Sequence, residues 1–453
     1  MLKKINNILV NNMPVIKNML GAFGVKGASL VVSFILLPLY IRFLHDKATL
    51  GLWYTILSVL SWVTLFDLGL GHGLRNRLPD AFEKRDINQI RKLISTTYVL
   101  MLCTAGIVLL IGEVIITRLN WNSIFNVEDT VISNGFLTEC VSLVFIGVIT
   151  NMILKIVTSI LYAMQYSAIV NFLTLIPNII ILIALCVMPS RTVHFNLKAM
   201  SVVNVCAINI PYLICSWFVF KYFLKGNFPS FRFFAKECIK DIFSIGISLL
   251  WLQAVFMVIS SANELIITRM TGPDHVVEYQ IYNKIFKTAG MIVSLLLTPI
   301  WSAVTKAQAQ KKFVWIRKVY EIFLAASFMC ILLELCIIPF LPWIIDVWIG
   351  PGAVEVHIGY AVVFSVSNAM MVLHSVNTAV GNGLSYFKVQ MIWMTFAAFV
   401  FIPLSYCLVQ LTGSWIGVVI ANTISLMPYE FLAPAFTMRE LKRRQVKVST
   451  LRT

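Results

Sequence analysis

Apolar residues in this chain fall in long runs separated by short polar connections. Twelve runs are each long enough to cross ~30 Å of hydrocarbon as helix. They cover residues 22–44, 49–71, 94–116, 134–156, 167–188, 199–220, 242–267, 279–304, 319–341, 356–380, 390–410 and 415–437. The pattern predicts an all-α polytopic membrane protein. Connections on one side are short, and the longest, near 118–133 and 342–355, have no room for a catalytic domain. Pro38, Pro177, Pro211, Pro299, Pro339, Pro403 and Pro428 fall inside predicted helices. Each removes a backbone hydrogen bond and favours a bend, which membrane helices tolerate.

The end of the second run appears twice. Phe66-Asp67-Leu68-Gly69-Leu70-Gly71 leads into a charged segment that ends at Ile90-Arg91-Lys92. Ala81 is matched by Ala307, Arg85 by Lys311, and Ile90-Arg91-Lys92 by Ile316-Arg317-Lys318, at an offset of 226 in a chain of 453 residues. The second and eighth spans therefore hold the same place in two related halves and run in the same direction. That predicts two parallel six-helix repeats around a central cavity, related by an axis along the membrane normal. The expected lobes are 1–220 and 242–453, joined by a linker at 221–241.

Composition agrees. The chain is 59% hydrophobic and 12% charged, against ~25% charged in a soluble protein, and its mean hydropathy is +0.86. The net charge of +16 is first a topology signal: 26 of the 36 basic residues lie in the termini and even-numbered connections. The positive-inside rule then puts both termini in the cytoplasm. No soluble basic face is present for nucleic acid. The basic tail from Arg439 to Arg452 reads as a topology anchor that could also meet anionic lipid headgroups. The N-terminus shows no cleavage pattern, so the first helix is expected to serve as an uncleaved insertion signal. The nine cysteines show no paired or metal-like spacing and read as small core hydrophobes. Trp53, Trp121, Trp301, Trp343 and Trp348 fall near span ends, where interfacial aromatics are expected.

Charges inside the spans carry the functional information, since each costs ~3 kcal/mol unless paired or hydrated. Lys284 and Lys287 lie three residues apart in the eighth span, Lys287 ~12 Å inside it. Lys26 lies about one turn from the inner end of the first span. These three are candidates to line a hydrated cavity, and for Lys26 and Lys284 snorkelling to the surface is the structural alternative. Glu264, Glu139 and Glu334 are candidates for ion coupling, with Glu113 a further acid toward an outer helix end. Glu264 is placed to pair with Lys284 from the neighbouring span, which is equally a purely structural arrangement. Asp67 is expected to pair with Arg75 or Arg77 and lock a helix end, with gating as the functional extension. Asn368, His374, Asn377 and Thr378 form a polar stripe of the kind that ties helices together. The glycines 69, 71 and 73 follow a membrane helix and not a strand, which excludes a phosphate loop. There is no metal cluster, nucleophile elbow or nucleotide site, so no enzyme, no cofactor and no primary pump is expected.

With these motifs in view, the chain resembles the Wzx-type polysaccharide flippases of the multidrug/oligosaccharidyl-lipid/polysaccharide exporter superfamily. The resemblance rests on Leu37-Pro38-Leu39-Tyr40-Ile41-Arg42-Phe43-Leu44, Gly51-Leu52-Trp53, the Phe66–Gly71 stretch with the segment to Lys92, Ala262-Asn263-Glu264-Leu265-Ile266-Ile267, Glu278-Tyr279-Gln280-Ile281-Tyr282 and Pro299-Ile300-Trp301-Ser302-Ala303. Relatives often carry Asp where this chain has Glu264. The resemblance implies a MATE-like fold and a bacterial inner-membrane flippase. Such a protein moves an undecaprenyl-pyrophosphate-linked oligosaccharide, such as an O-antigen unit for lipopolysaccharide, to the periplasmic leaflet by alternating access. It implies H+ or Na+ as coupling ion, membrane lipids as surroundings, and a polysaccharide polymerase and chain-length regulator as partners. Lys287, Lys284 and Lys26 would hold the pyrophosphate or an acidic sugar. A drug or metabolite exporter of the same superfamily and a membrane-embedded polymerase or acyltransferase are the alternatives. An exporter of cations would favour an acid-lined cavity, and a polymerase would need larger outer loops. A non-transporting scaffold would leave the buried lysines as an unexplained cost.

Overall fold

The computed structural model describes residues 13–164, 166–243, 246–352, 354–384 and 386–450, without the side chains of 13–23, Lys26, 241–249, most of 289–302, Lys306, Ala309 and 447–450. Among the described residues there are helices and no strands. The chain divides into two compact units, Met1–Leu250 and Trp251–Thr453.

The first unit contains α1 (Met13–Leu44), α2 (Lys47–Ser61), a 3-10 turn (Trp62–Asp67), α3 (Leu70–Glu83), α4 (Ile87–Arg118), the short α5 (Trp121–Phe125), α6 (Asn134–Leu154), α7 (Ile156–Ala163), α8 (Ser167–Val187), α9 (Val193–Phe218) and α10 (Lys236–Phe243). Helix α11 (Gly246–Ser261) crosses the division. The second unit continues with α12 (Asn263–Thr271), α13 (Asp274–Ala309), α14 (Phe313–Ile337), α15 (Leu341–Trp348), α16 (Ile358–Gly383), α17 (Lys388–Thr412) and α18 (Ile416–Thr450). Eleven helical stretches among the described residues are long and apolar enough to cross a bilayer. The expected eighth span lies within the 36-residue α13, which is not among these eleven.

Helix α4 shows why the solvent must be lipid. Leu93, Ile94, Thr97, Tyr98, Met101 and Ala105 are buried against the unit, yet the other face exposes Leu102, Ile107, Leu110, Ile111 and Val114. A helix apolar on all sides is either fully enclosed or faces hydrocarbon. In the first unit α6 packs against α9 and α4, and α1 packs against α8. In the second, α17 packs along α18, and α16 contacts α13, α14 and α18.

Several boundaries differ from the sequence expectation. The second span does not run to residue 71. Its α-helix stops at Ser61, and the chain turns through left-handed Leu68 and Gly69 (φ 50° and 69°). Asp67 stabilises this turn by accepting the Gly69 N–H at 2.8 Å, a local bond that competes with the helical ladder. The segment expected as a charged loop is instead helix α3, with Leu70, Leu74, Leu78 and Ala81 buried on one side at helical spacing. Helix α4 starts seven residues early, capped by Asp86, which accepts the Gln89 N–H. The seventh span breaks at Ala262, and Asn422 takes the Ile259 carbonyl at 2.6 Å. The basic tail is helical to Thr450.

The repeat is visible in backbone detail. Arg85 and Lys311 are both left-handed, at φ 53° and 58°. In each case the next residue's N–H reaches back across the helix end, Asp86 to the Ala81 carbonyl and Lys312 to the Ala307 carbonyl. This is a Schellman-type ending built on a basic residue where glycine is usual. The 221–241 connection packs on the first unit. The Ser230 N–H donates to Ser95 Oγ, the Ala235 N–H donates to Thr96 Oγ1, and Lys92 pairs with Glu237 at 3.1 Å. Trp53 and Trp121 are buried, unlike the interfacial residues expected, whereas Trp343 is exposed. Five of the nine cysteines (Cys103, Cys186, Cys206, Cys336 and Cys407) lie on exposed helix faces and not in a core, as small apolar side chains can in lipid.

Close helix packing makes one test. At Gly417 in α18, an added Cβ would stand 2.6 Å from the Leu408 carbonyl carbon of α17. Gly417→Val should therefore cost about 1–3 kcal/mol by overpacking, seen as a lower melting temperature of the detergent-purified protein. An unchanged melting temperature would show that α17 and α18 do not approach this closely.

Candidate functional site

Polar groups inside the second unit fall into two sets: those that find partners and those that do not. Helix α16 carries the larger partnered set. His374 Nδ1 lies 2.9 Å from Glu430 Oε1, and Asn377 Nδ2 donates to Glu430 Oε2 at 2.7 Å. The Tyr320 hydroxyl donates to Asn377 Oδ1 at 2.6 Å. Thr378 contacts His374 Nε2 and accepts from Gln390. The Phe256 ring stacks on the imidazole, with centroids 4.9 Å apart and planes within 6°. Both carboxylate oxygens of Glu430 are occupied, and its side chain is fully buried. This network joins α14, α16, α17 and α18 with α11 laid over it. The polar stripe of α16 is thus a structural tie, and Glu430 is the member that the sequence reading missed. Its one signal was an acid inside an apolar run, next to Pro428.

Glu334 is the second buried acid beside α16, with 0% exposure. Its Oε1 accepts from Asn368 Nδ2 at 2.5 Å and from Cys330 Sγ at 3.4 Å. Gly290 of α13 leaves room for Asn368, since a Cβ there would stand 2.7 Å from its Nδ2. Glu334 Oε2 and the Ser365 hydroxyl are both buried with no partner beyond each other.

The expected Glu264–Lys284 pair does not form. Glu264 is nearly buried on α12 and accepts from Gln280 Nε2 at 2.9 Å. Gln280 lies one turn before Lys284, so it meets the carboxylate first. Lys284 is half-buried and Lys287 exposed, and neither has an acidic partner among the described residues. Gln280, Lys284, Lys287 and Thr288 share one face of α13 at spacings of four, three and one. An aromatic group fixes another face of the helix: Tyr279, Tyr282 and Phe286 pack with Tyr360, Phe364 and Trp415. The side chain of Lys26 lies outside the described residues.

In the first unit, Glu139 pairs with Lys198 at 2.6 Å, and both side chains are about half exposed. Ser142 donates to Glu113. Asp67 accepts the Gly69 N–H, and among the described residues no ion pair joins it to Arg75 or Arg77. Arg75 instead lies over the Tyr162 ring at 4.1 Å, a contact between α3 and α7.

The sequence model described as polysaccharide biosynthesis protein matches residues 15–305. The chain belongs to this family. Its fold is that of the MATE and MOP-superfamily transporters. One similar structure is an inward-facing multidrug-resistance MATE transporter of the MOP superfamily, at TM-score 0.74 and 14% identity, covering 91% of this chain and 95% of that one. A second is a MOP-superfamily transporter from Pyrococcus furiosus, whose description reports a binding pocket of reversed polarity, at TM-score 0.63 and 15% identity over 94% of each chain. A third is a Vibrio cholerae MATE transporter, at TM-score 0.62 and 13% identity over 94% and 98%. No curated protein matches. This family member is therefore a multi-span membrane protein with a transporter fold. The second unit supplies polar groups of two kinds, a closed network and an open set on α13 and α14.

Removing one member of the closed network strands the others in a nonpolar interior. Glu430→Ala should cost about 3–5 kcal/mol, read as loss of folded protein on heating in detergent. A value under ~1 kcal/mol would mean that the network does not tie α16 to α18.

Proposed function

We propose that this chain moves an undecaprenyl-pyrophosphate-linked oligosaccharide from the cytoplasmic to the periplasmic leaflet of a bacterial inner membrane by alternating access. The observation that carries this reading is the polar face of α13. Lys284 and Lys287 hold two ammonium groups on the long helix α13, with no carboxylate paired to them among the described residues. An unpaired cation there is costly unless hydrated or matched by a ligand's negative charge. A pyrophosphate supplies that charge and accepts several charge-assisted hydrogen bonds. Gln280 and Thr288, which donate to Glu264 and to the Lys284 carbonyl, extend the same face with neutral polar groups. The lipid tail remains in the bilayer. Membership in a polysaccharide biosynthesis family and a MOP transporter fold support the same class of substrate. A polymerase and a chain-length regulator would then act on the delivered unit.

The orientation belongs to the proposal: both termini cytoplasmic, with Arg75 to Lys92 and 221–241 on the same side. Alkaline phosphatase fused near residue 125 should be active and fused near residue 230 inactive. The reverse pattern would invert the protein.

The lysines make a quantitative test. In proteoliposomes carrying a fluorescent undecaprenyl-pyrophosphate-linked oligosaccharide, Lys284→Ala and Lys287→Ala should each slow translocation about tenfold or more. Lys287→Glu should abolish it. Lys287→Arg should keep most of the rate, since the charge is retained. Wild-type rates in the double alanine variant would remove α13 from the substrate path.

A further inference from the structure

The two buried acids beside α16 differ in one respect that bears on coupling. Glu430 has a donor on each oxygen and an imidazole 2.9 Å away that can carry the compensating charge. Glu334 has no such compensation. Its contacts are the Asn368 amide and the Cys330 thiol, both on Oε1, and the Ser365 hydroxyl, all of them neutral. Cys330, one turn earlier on α14, is the titratable side chain it touches. On α16 it faces Ser365 and Asn368, both neutral. On α13, Gly290 adjoins Asn368, while Lys287 is exposed and makes no ion pair with Glu334. No Lys, Arg or His stands within ion-pair distance of Glu334 among the described residues. A carboxylate taken fully out of solvent with neutral neighbours alone costs several kcal/mol. A proton on Oε2 removes that charge.

The unused groups fit a proton. Glu334 Oε2 and Ser365 Oγ are both buried with no partner beyond each other, and the Ser365 side chain lies within hydrogen-bonding reach of the carboxyl group. A protonated Oε2 donates one hydrogen bond, and the serine oxygen is an acceptor with nothing else bound to it. No cluster of three or more His, Cys, Asp or Glu side chains occurs among the described residues.

We infer that Glu334 is the proton-binding site of the transport cycle, with Ser365 as acceptor for the bound proton and Asn368 positioning the carboxyl group. This rests on the transport reading above and gives its coupling ion a chemical identity. In the loaded state the Oε2–H group donates to Ser365 Oγ. On release that O–H bond breaks, the proton passes to water, and the carboxylate stays behind. The site is sealed here, so loading and release require the helices around it to open. Its placement near the far end of α14 from Phe313 puts it, in the proposed topology, toward the periplasmic side, where protons are supplied.

The test pairs spectroscopy with transport. Infrared spectra of the purified protein in lipid nanodiscs should show a protonated-carboxyl carbonyl band at neutral pH. Glu334→Gln, close in shape to the protonated acid, should lose that band. Ser365→Ala should shift it while leaving the protein folded. In proteoliposomes with the fluorescent lipid-linked oligosaccharide, an imposed pH gradient should speed the wild type several-fold and leave Glu334→Gln unchanged. A band that persists in Glu334→Gln overturns the inference, as does stimulation by a sodium gradient that survives in that variant. If the wild type moves no lipid-linked oligosaccharide, the flippase reading fails, while the infrared band still decides whether Glu334 holds a proton.

Discussion

The architecture depends on one constraint. In hydrocarbon a polar group has no water to turn to, so it must find its partner within the chain. Most of the polar side chains in the helices obey this in short range. The α1 terminus is held by Ser190 and Asn196, both donating to the Phe43 carbonyl. Asn209 donates to the Gly147 carbonyl, joining α9 to α6. In the second unit the His374–Glu430–Asn377–Tyr320 network does the same for three helices at once. Such bonds supply much of the specificity that the hydrophobic effect cannot, because lipid is as apolar as the helices themselves.

Against that background the groups left open carry the functional argument. Lys284 and Lys287 display positive charge along α13, and Glu334 buries its carboxyl group among neutral partners alone. Each is an unfavourable arrangement for a protein that only needs to fold. Each is useful for one that must hold a negatively charged head group and exchange a proton. The aromatic group around Tyr282 and Phe364, with Trp415 donating to Glu278 at 3.0 Å, fixes α13 so that its polar face is held in place. The family and the MATE-type fold set these residues in a multi-span membrane protein with a transporter fold.

Much of the fold was legible in the chain. Runs of apolar residues mark membrane helices because hydrocarbon tolerates little else, and the 226-residue offset anticipated the matching left-handed turns at Arg85 and Lys311. The site was legible in part. The sequence shows which charges lie in spans, but pairing depends on rotation and register, which hydropathy does not encode. Glu264 therefore found Gln280 in place of Lys284, and Glu139 met Lys198 at an exposed position. Glu430 passed unnoticed because a single acid barely changes the hydropathy of its run. Helix α3 was hidden by its charges, although Leu70, Leu74 and Leu78 repeat at the spacing of a buried helix face. Asp67 caps its own turn through the backbone N–H two residues on, a local bond that hydropathy does not encode.

The most direct measurement is the leaflet location of the lipid-linked intermediate in cells that lack this chain. The account predicts a complete undecaprenyl-pyrophosphate-linked repeat unit trapped on the cytoplasmic face, cleared by the wild-type chain and not by Lys287→Glu. Single units that reach the periplasmic face but fail to join would contradict it and point to a polymerase. Normal lipid-linked sugars with altered drug tolerance would contradict it in favour of an exporter.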